Sequence, residues 1–366
     1  MKRRALFVGR TRYRLPLPPA LMRKWDALGD VLELRVVATS ADGSRGDGTF
    51  RLVRPLPGAL FYAALPVLVA RELRRFRPDV VLAESPYEAV AVLLARRVAL
   101  TPARLAVDVH GDWRTATRLY GSPRRRLLSP FADRLAAAAI RRADAVRTIS
   151  GHTTALVRKL GREPAATFVG YSDLEHFART PPVALPERPR AIFIGVLERY
   201  KNVEGLAAAW RRVAPRVPEA TLHIVGRGTQ RAVIEALVRD LPAQTEWDEW
   251  LEPEEVGEAL DASTALVLPS PLEGLGRVAV EALLRARPVV ASRSGGIPDV
   301  VRDDENGLLV EPGDTAALAE ALERVLTDRS LAQRLAASAR ASAEPWVTDP
   351  REFAAKTLEV VEAALS

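Results

Sequence analysis

The stretch "PSPLEGLGRVAVEALLRARPVVAS", residues 269–292, places two glutamates, Glu273 and Glu281, with seven residues between them. The run "TALVLPS" (264–270) is apolar enough for a strand covered on both faces. "PLEGLG" supplies a loop with Gly274 and Gly276, and "RVAVEALLRA" (277–286) wraps apolar residues around a helix. "RPVVAS" (287–292) opens the next strand. A glycine-bearing loop ahead of a helix presents free backbone N–H groups and a favourable dipole, which suit an anion such as phosphate. Eight helical steps at ~1.5 Å each set the glutamates about 12 Å apart. Acid/base carboxylate pairs on a glycosidic bond sit roughly 5–9.5 Å apart, so the longer spacing suits a ligand gripped at two points. A carboxylate accepts hydrogen bonds from vicinal hydroxyls, so one glutamate suits a sugar and the other a ribose. The competing reading pairs Glu281 with Arg277 and Arg285, one turn to either side on a solvated face. Local sequence weighs the two readings evenly.

Working outward, short β-rich runs alternate with helical patterns along the whole chain. Strands are expected at 5–8, 31–38, 79–85, 104–110 and 144–150, and again at 191–197, 220–226, 264–269, 287–292 and 307–312. Helices are expected near 59–77, 86–98 and 124–142, then near 203–214, 229–240, 276–286 and 314–328. Apolar strands separated by helices imply parallel sheets covered on both faces. A proline-rich interval without periodicity, within 173–190, reads as a linker. The expectation is an α/β chain of two doubly wound, Rossmann-like domains facing a central cleft, 1–178 and 190–345, with 179–189 between them. Ligands of such sheets bind beyond the carboxyl ends of the strands. The residues there are Gly9 and Arg10, Glu84, His110, Gly195, then Gly226, Arg227 and Gly228, and the loop of Glu273.

Composition narrows the function classes. The chain has 366 residues, 48% hydrophobic and 27% charged, which is ordinary globular usage. It has no cysteine, which excludes disulfides, thiolate metal ligands and a thiolate nucleophile, and fits a cytoplasmic setting. The formal charge of +7 suggests anionic partners, yet only Lys2, Lys24, Lys159, Lys201 and Lys356 of the 53 basic residues are lysine. Such arginine bias reads as coding composition, so nucleic acid is not expected as a partner; no helix-turn-helix or base-stacking element is legible. No stretch reaches the ~18–20 apolar residues needed to span a bilayer. "ALFYAALPVLVA" (59–70) reads first as a helix on a sheet and second as an interfacial segment. "SPRRRLL" (122–128) reads as a solvated helix start and second as a membrane-surface patch. No Asp-x-Asp element is placed as a metal site.

With these motifs in view, "EGLGRVAVE" (273–281) resembles the Glu-x7-Glu motif of retaining glycosyltransferases, especially glycosyltransferase family 4. "GVLERYKNVEGL", "LHIVGRG", "EWLEPEEVGEAL" and "SGGIPDVVRDDENGLLVEPGDTAALAEAL" are similar to successive elements of that family's second domain. "VDVHGDW" resembles its first-domain strand that offers a histidine to the donor sugar. The resemblance is strong over 190–330, moderate over 100–160 and weak over 1–80.

The resemblance implies a GT-B fold, with a last helix at 349–366 crossing back to complete the first domain. It implies a metal-independent, retaining glycosyltransferase that needs no cofactor. The donor would be a UDP-, GDP- or ADP-sugar. The acceptor would be a glycan, a glycolipid or a small molecule, and peripheral contact with the inner face of a membrane is part of that expectation. Glu273 would hold the transferred sugar's hydroxyls, helped by the amides of Gly274, Leu275 and Gly276. Glu281 would hold the ribose, Lys201 the diphosphate, and His110 would lie near the reacting carbon. Trp250 and Leu251 would lie near the base. Val196 stands where the family has an arginine that shares the diphosphate. Arg10, Arg12, Arg199 and Arg227 are the replacements to consider, beside Gly9 and Gly226. A non-catalytic sugar-binding or partner subunit of the same fold is the alternative.

Overall fold

The computed structural model describes residues 2–44, 46–114 and 123–366. The chain forms two compact units, Met1–Tyr171 with Thr348–Ser366, and Ser172–Val347.

In the first unit the strands are β1 (Arg3–Tyr13), β2 (Leu32–Ser40), β3 (Phe50–Val53), β4 (Val80–Ala83), β5 (Arg104–Val109), β6 (Ala145–Thr148) and β7 (Ala166–Thr167). They make one parallel sheet in the order β3-β2-β1-β4-β5-β6-β7. Alternate residues of β1 feed two cores. Leu6 and Val8 pack beneath the helices Gly58–Phe76, Pro86–Ala99 and Pro123–Arg142. Ala5 and Phe7 pack beneath Pro19–Val31 and the terminal helix Pro350–Leu365, which contributes Phe353, Val360 and Val361. A sheet covered on both faces needs apolar residues on both, and β4 is accordingly buried at every position.

The second unit repeats the design with β8 (Arg190–Ile194), β9 (Thr221–Val225), β10 (Thr245–Asp248), β11 (Ala265–Leu268), β12 (Val289–Ser292) and β13 (Gly307–Val310). Their order is β10-β9-β8-β11-β12-β13, again parallel. Both sheets are thus doubly wound, with the direction of winding reversing between β1 and β4 and between β8 and β11.

Three expectations are corrected. Gly9 and Arg10 do not follow the first strand; β1 runs on through them to Tyr13, with a register break against β2 between Val8 and Arg12. The boundary falls at Tyr171/Ser172 rather than near 178. The proline-rich stretch is not a free linker. The short helix Glu175–Arg179 buries Phe177 in the second unit's core. Beyond it, Arg285 donates to Thr180 O at 2.7 Å, Arg287 to Val183 O at 2.9 Å and Arg329 to Pro186 O at 2.9 Å. A segment with few N–H donors is held by its carbonyls instead. The helix Pro19–Val31 and the polar edge strand β10 were not among the expected elements. The side chains of 123–128, and so most of "SPRRRLL", lie outside the described residues.

Candidate functional site

The second unit's switch point lies between β8 and β11, and the two loops leaving these strands carry Lys201 and Glu273. After β8 the chain passes through Gly195–Leu197 into a 3-10 turn, Arg199–Lys201. Asn202 then caps the helix Val203–Val213 by accepting from Gly205 N at 3.3 Å. This fixes the direction of Lys201, whose ammonium forms an ion pair with Glu273. Both side chains are largely buried, at 14% and 13% exposure, so the pair works at low dielectric and neither group is cheap to leave alone.

The loop of Glu273 is braced from behind by the turn after β12. Gly296 N donates to Glu273 O at 2.9 Å. Gly295 has φ +59° and approaches so closely that a Cβ there would stand 2.0 Å from the same carbonyl. Ser294 bonds Pro271 O. The "SGG" of residues 294–296 is therefore part of the site's frame, which sequence reading had placed only in a general resemblance.

Glu281 sits in the helix Arg277–Leu284 and is 5% exposed. Its Oε1 accepts from Arg277 Nε at 2.7 Å, while Arg285 turns away to Asp261, at 2.9 Å. The solvated-face reading is met only in its Arg277 pair, because the carboxylate is buried and Arg285 is engaged elsewhere. Burial raises its pKa above the usual carboxylate value, and Arg277 works in the opposite direction.

Around this core, Gly226 lies against the Gly195 carbonyl, where a Cβ would come within 1.8 Å. The loop after β9 is tied to the loop after β8 by Leu197 N to Arg227 O, 2.9 Å, and by Gln230 N to Leu197 O, 2.8 Å. The Arg227 guanidinium lies 5.6 Å from the ring centre of Trp250, which is 63% exposed, and Leu251 follows half-buried. Arg199 is exposed, and so is Val196.

The first unit carries a second constellation at its own strand ends. Thr11 Oγ1 donates to Glu84 Oε2 at 2.7 Å, and Gly9 leaves the space that this carboxylate fills. Arg10 is exposed, with its guanidinium 5.8 Å from the centre of the Phe61 ring. His110 follows β5, with Nε2 3.6 Å from Asp108 Oδ2. Asp108 also receives Arg147 Nη1 at 2.6 Å. Burial pushes the Asp108 carboxyl up, but Arg147 and His110 together hold it below its usual value. Lys24 lies close enough to feel Glu84, Asp108 and Arg147, and burial lowers its pKa. Its ammonium stands 4.8 Å from the Trp25 ring and 5.3 Å from Phe353 of the terminal helix. Sequence reading named Glu84 and His110 here but missed Lys24, Asp108 and Arg147. The scarcity of lysine was the available signal for Lys24.

Among the described residues no three His, Asp or Glu side chains gather as metal ligands, and no helix is long and apolar enough to cross a membrane. Residues 177–342 match the family described as glycosyl transferases group 1, and residues 19–171 match the glycosyl transferase 4-like domain. The sulfoquinovosyl transferase SQD2 of Arabidopsis thaliana is 32% identical over 164 residues, 44% of this chain and 31% of that protein. The chain spans 31% to 61% of the length of the curated relatives considered. Among solved structures, a sucrose-phosphate synthase from Thermosynechococcus elongatus superposes with TM-score 0.78 at 20% identity, covering 99% of this chain and 98% of that one. Anabaena HepE in complex with UDP-glucose superposes with TM-score 0.71 at 18% identity, covering 97% and 99%. Both are similar in fold.

Proposed function

The chain belongs to the group 1 glycosyl transferases, with the GT-B fold, and on that premise we propose that it moves a sugar from a nucleotide-diphosphate sugar to an acceptor hydroxyl. In this reading the anomeric configuration is retained and no metal is needed. The acceptor is a glycan, a glycolipid or a small molecule. The observation that carries the reading is the meeting of Lys201 and Glu273 at the switch point, beside the loop Gly274–Gly276.

Glu273 accepts hydrogen bonds from the transferred sugar's hydroxyls, and the amides of Gly274, Leu275 and Gly276 help to orient it. Lys201 gives up part of its contact with Glu273 to the diphosphate as that group leaves. A positioned cation in a water-poor loop stabilises developing charge without reorganising solvent. Glu281 already spends one oxygen on Arg277, and its second oxygen receives a ribose hydroxyl. Arg227 and the exposed face of Trp250 flank the base. His110 stands 3.6 Å from Asp108 within the first unit, and in this reading its role is toward the donor sugar. The acceptor hydroxyl attacks on the face from which the diphosphate departs, and its proton passes to that diphosphate. The missing arginine at Val196 is replaced by one of Arg10, Arg12, Arg199 or Arg227.

Val196 also supports a second reading, a non-catalytic member of the fold that binds sugar nucleotide without turning it over. The test is a thermal-shift screen of UDP, GDP, ADP and their sugars in EDTA, followed by donor hydrolysis. A ligand at 100 times its Kd adds about 2.7 kcal/mol. The account expects one nucleotide and its sugar to raise Tm, and slow release of free sugar. Binding without hydrolysis or transfer selects the non-catalytic reading. No shift with any nucleotide overturns both.

A further inference from the structure

Four of the five lysines have an evident partner or open solvent. Lys2 donates to Gly29 O at 2.6 Å, Lys356 to Glu352 at 2.6 Å, Lys201 pairs with Glu273, and Lys159 is exposed. Lys24 differs from all of them. It is part-buried, and its ammonium makes no hydrogen bond or ion pair among the described residues. The Trp25 and Phe353 rings beside it, at 4.8 Å and 5.3 Å, attract a cation but leave its three N–H donors unused. Burial without an acceptor disfavours the charged form, and the pKa of Lys24 is lowered accordingly.

The carboxylate with the greatest pull on Lys24 is Glu84, within electrostatic reach but beyond ion-pair contact. Glu84 directly follows β4, and Gly9 and Thr11 lie on β1, so these groups meet where the winding of the first sheet reverses. A doubly wound sheet takes its ligand at that point. Thr11 Oγ1 fills one acceptor position of Glu84, at 2.7 Å, and among the described residues no other side chain fills the rest. Gly9 is needed for this arrangement, because a Cβ there would stand 1.8 Å from Glu84 Oε2. A carboxylate and an ammonium, both with hydrogen-bonding capacity to spare, thus stand apart at the switch point.

Charge decides what fits between them. Lys24 and Arg147 bring two positive charges to this neighbourhood, and Glu84 and Asp108 two negative ones. Arg147 is committed to Asp108 at 2.6 Å and to Phe168 O at 3.3 Å. Arg10 stands over Phe61, in the core on the other face of the sheet, and strand alternation puts Arg12 on that side too. An added anion would therefore bring a surplus charge beside two carboxylates. A neutral ligand with adjacent hydroxyls adds none: one hydroxyl donates to Glu84 and its neighbour accepts from Lys24. We infer that the first unit's switch point binds an uncharged polyol, held between Glu84 and Lys24. The inference rests on the glycosyltransferase reading only in naming that polyol as the acceptor.

The experiment is saturation-transfer NMR of the full chain without nucleotide. Glucose and myo-inositol are the uncharged probes, and glucose 6-phosphate and glucuronate the charged ones. The account expects the uncharged probes to bind about tenfold more tightly than the charged ones, because like charges set side by side are unfavourable. Lys24→Met and Glu84→Gln should each weaken the uncharged probes about tenfold, the scale of one hydrogen bond to a charged group. Tighter binding of the charged probes, no binding of either uncharged probe, or undiminished binding by both variants would overturn the inference. So would binding lost in Glu273→Gln but in neither of these variants, which would put the probes at the donor's residues. A failed nucleotide screen bears on the glycosyltransferase reading alone, since no nucleotide is present here.

Discussion

The two units solve the same problem at their strand ends in different ways. In the second, one ammonium and one carboxylate meet across the switch point, and a second carboxylate nearby is matched by one arginine. In the first, four charged groups share one buried neighbourhood: Lys24, Glu84, Asp108 and Arg147, with His110 at the margin. A single buried pair can be opened by a ligand that supplies another partner for each member. A cluster of four cannot be opened so simply, because moving one charge leaves several others uncompensated. The second unit is therefore arranged to exchange partners, and the first to keep its charges in place beside His110.

This contrast is broken or sharpened by substitution, and the largest effect is expected in the second unit. Lys201→Met removes a cation from the leaving diphosphate and should lower turnover about 10²–10³-fold, or roughly 3–4 kcal/mol. Steady-state rates with the donor found by screening measure this; a loss under threefold would mean that Lys201 serves only the ion pair.

A smaller effect on catalysis but a large one on stability is expected in the first unit. Asp108→Asn leaves Arg147, 5% exposed, without its main partner, and should cost about 3–5 kcal/mol in urea unfolding. The sign with pH follows from the lowered pKa of Asp108. Its contribution is present above the unfolded-state pKa of an aspartate and is lost as pH falls through the lower folded-state value. The gap between native chain and variant should thus shrink on strong acidification. A gap independent of pH would point to packing, not charge.

The smallest effect concerns Glu281. Its folded-state pKa is raised, so its favourable share of stability is complete at low pH and is lost as pH rises through that raised value. Glu281→Gln escapes this loss, and its Tm relative to the native chain should climb from acid to neutral pH. The same variant should bind the preferred nucleotide about tenfold more weakly, the scale of one hydrogen bond to a charged group. Calorimetry showing unchanged affinity would remove the ribose assignment.

How much of this was legible before the fold was known follows from how local each feature is. Glu273, Gly274 and Glu281 stand within nine residues, and the alternation that places them after a buried strand is a short-range pattern. The partnership of Lys201 with Glu273 spans 72 positions, and only the resemblance had given both residues donor-side roles. The first unit's cluster draws on residues 24, 84, 108 and 147, with Phe353 from the far end of the chain, so no window of sequence contains it. The strand β1 was read as four residues long because Arg10 and Arg12 interrupt its apolar run, yet hydrogen bonding to β2 resumes at Arg12. The proline-rich stretch was read as free because its composition says nothing of the arginines that hold its carbonyls.

The central claim is that Glu273 and Glu281 grip different ends of one ligand. It is tested most directly by titration calorimetry of the preferred free nucleotide and of its sugar-bearing form against the native chain, Glu273→Gln and Glu281→Gln. The account predicts that Glu281→Gln weakens both ligands by a similar factor. Glu273→Gln should leave the free nucleotide within about threefold of the native affinity and remove most of the added affinity due to the sugar, again on the scale of one charged hydrogen bond. Equal losses for both ligands in both variants would contradict the division of labour between the two glutamates.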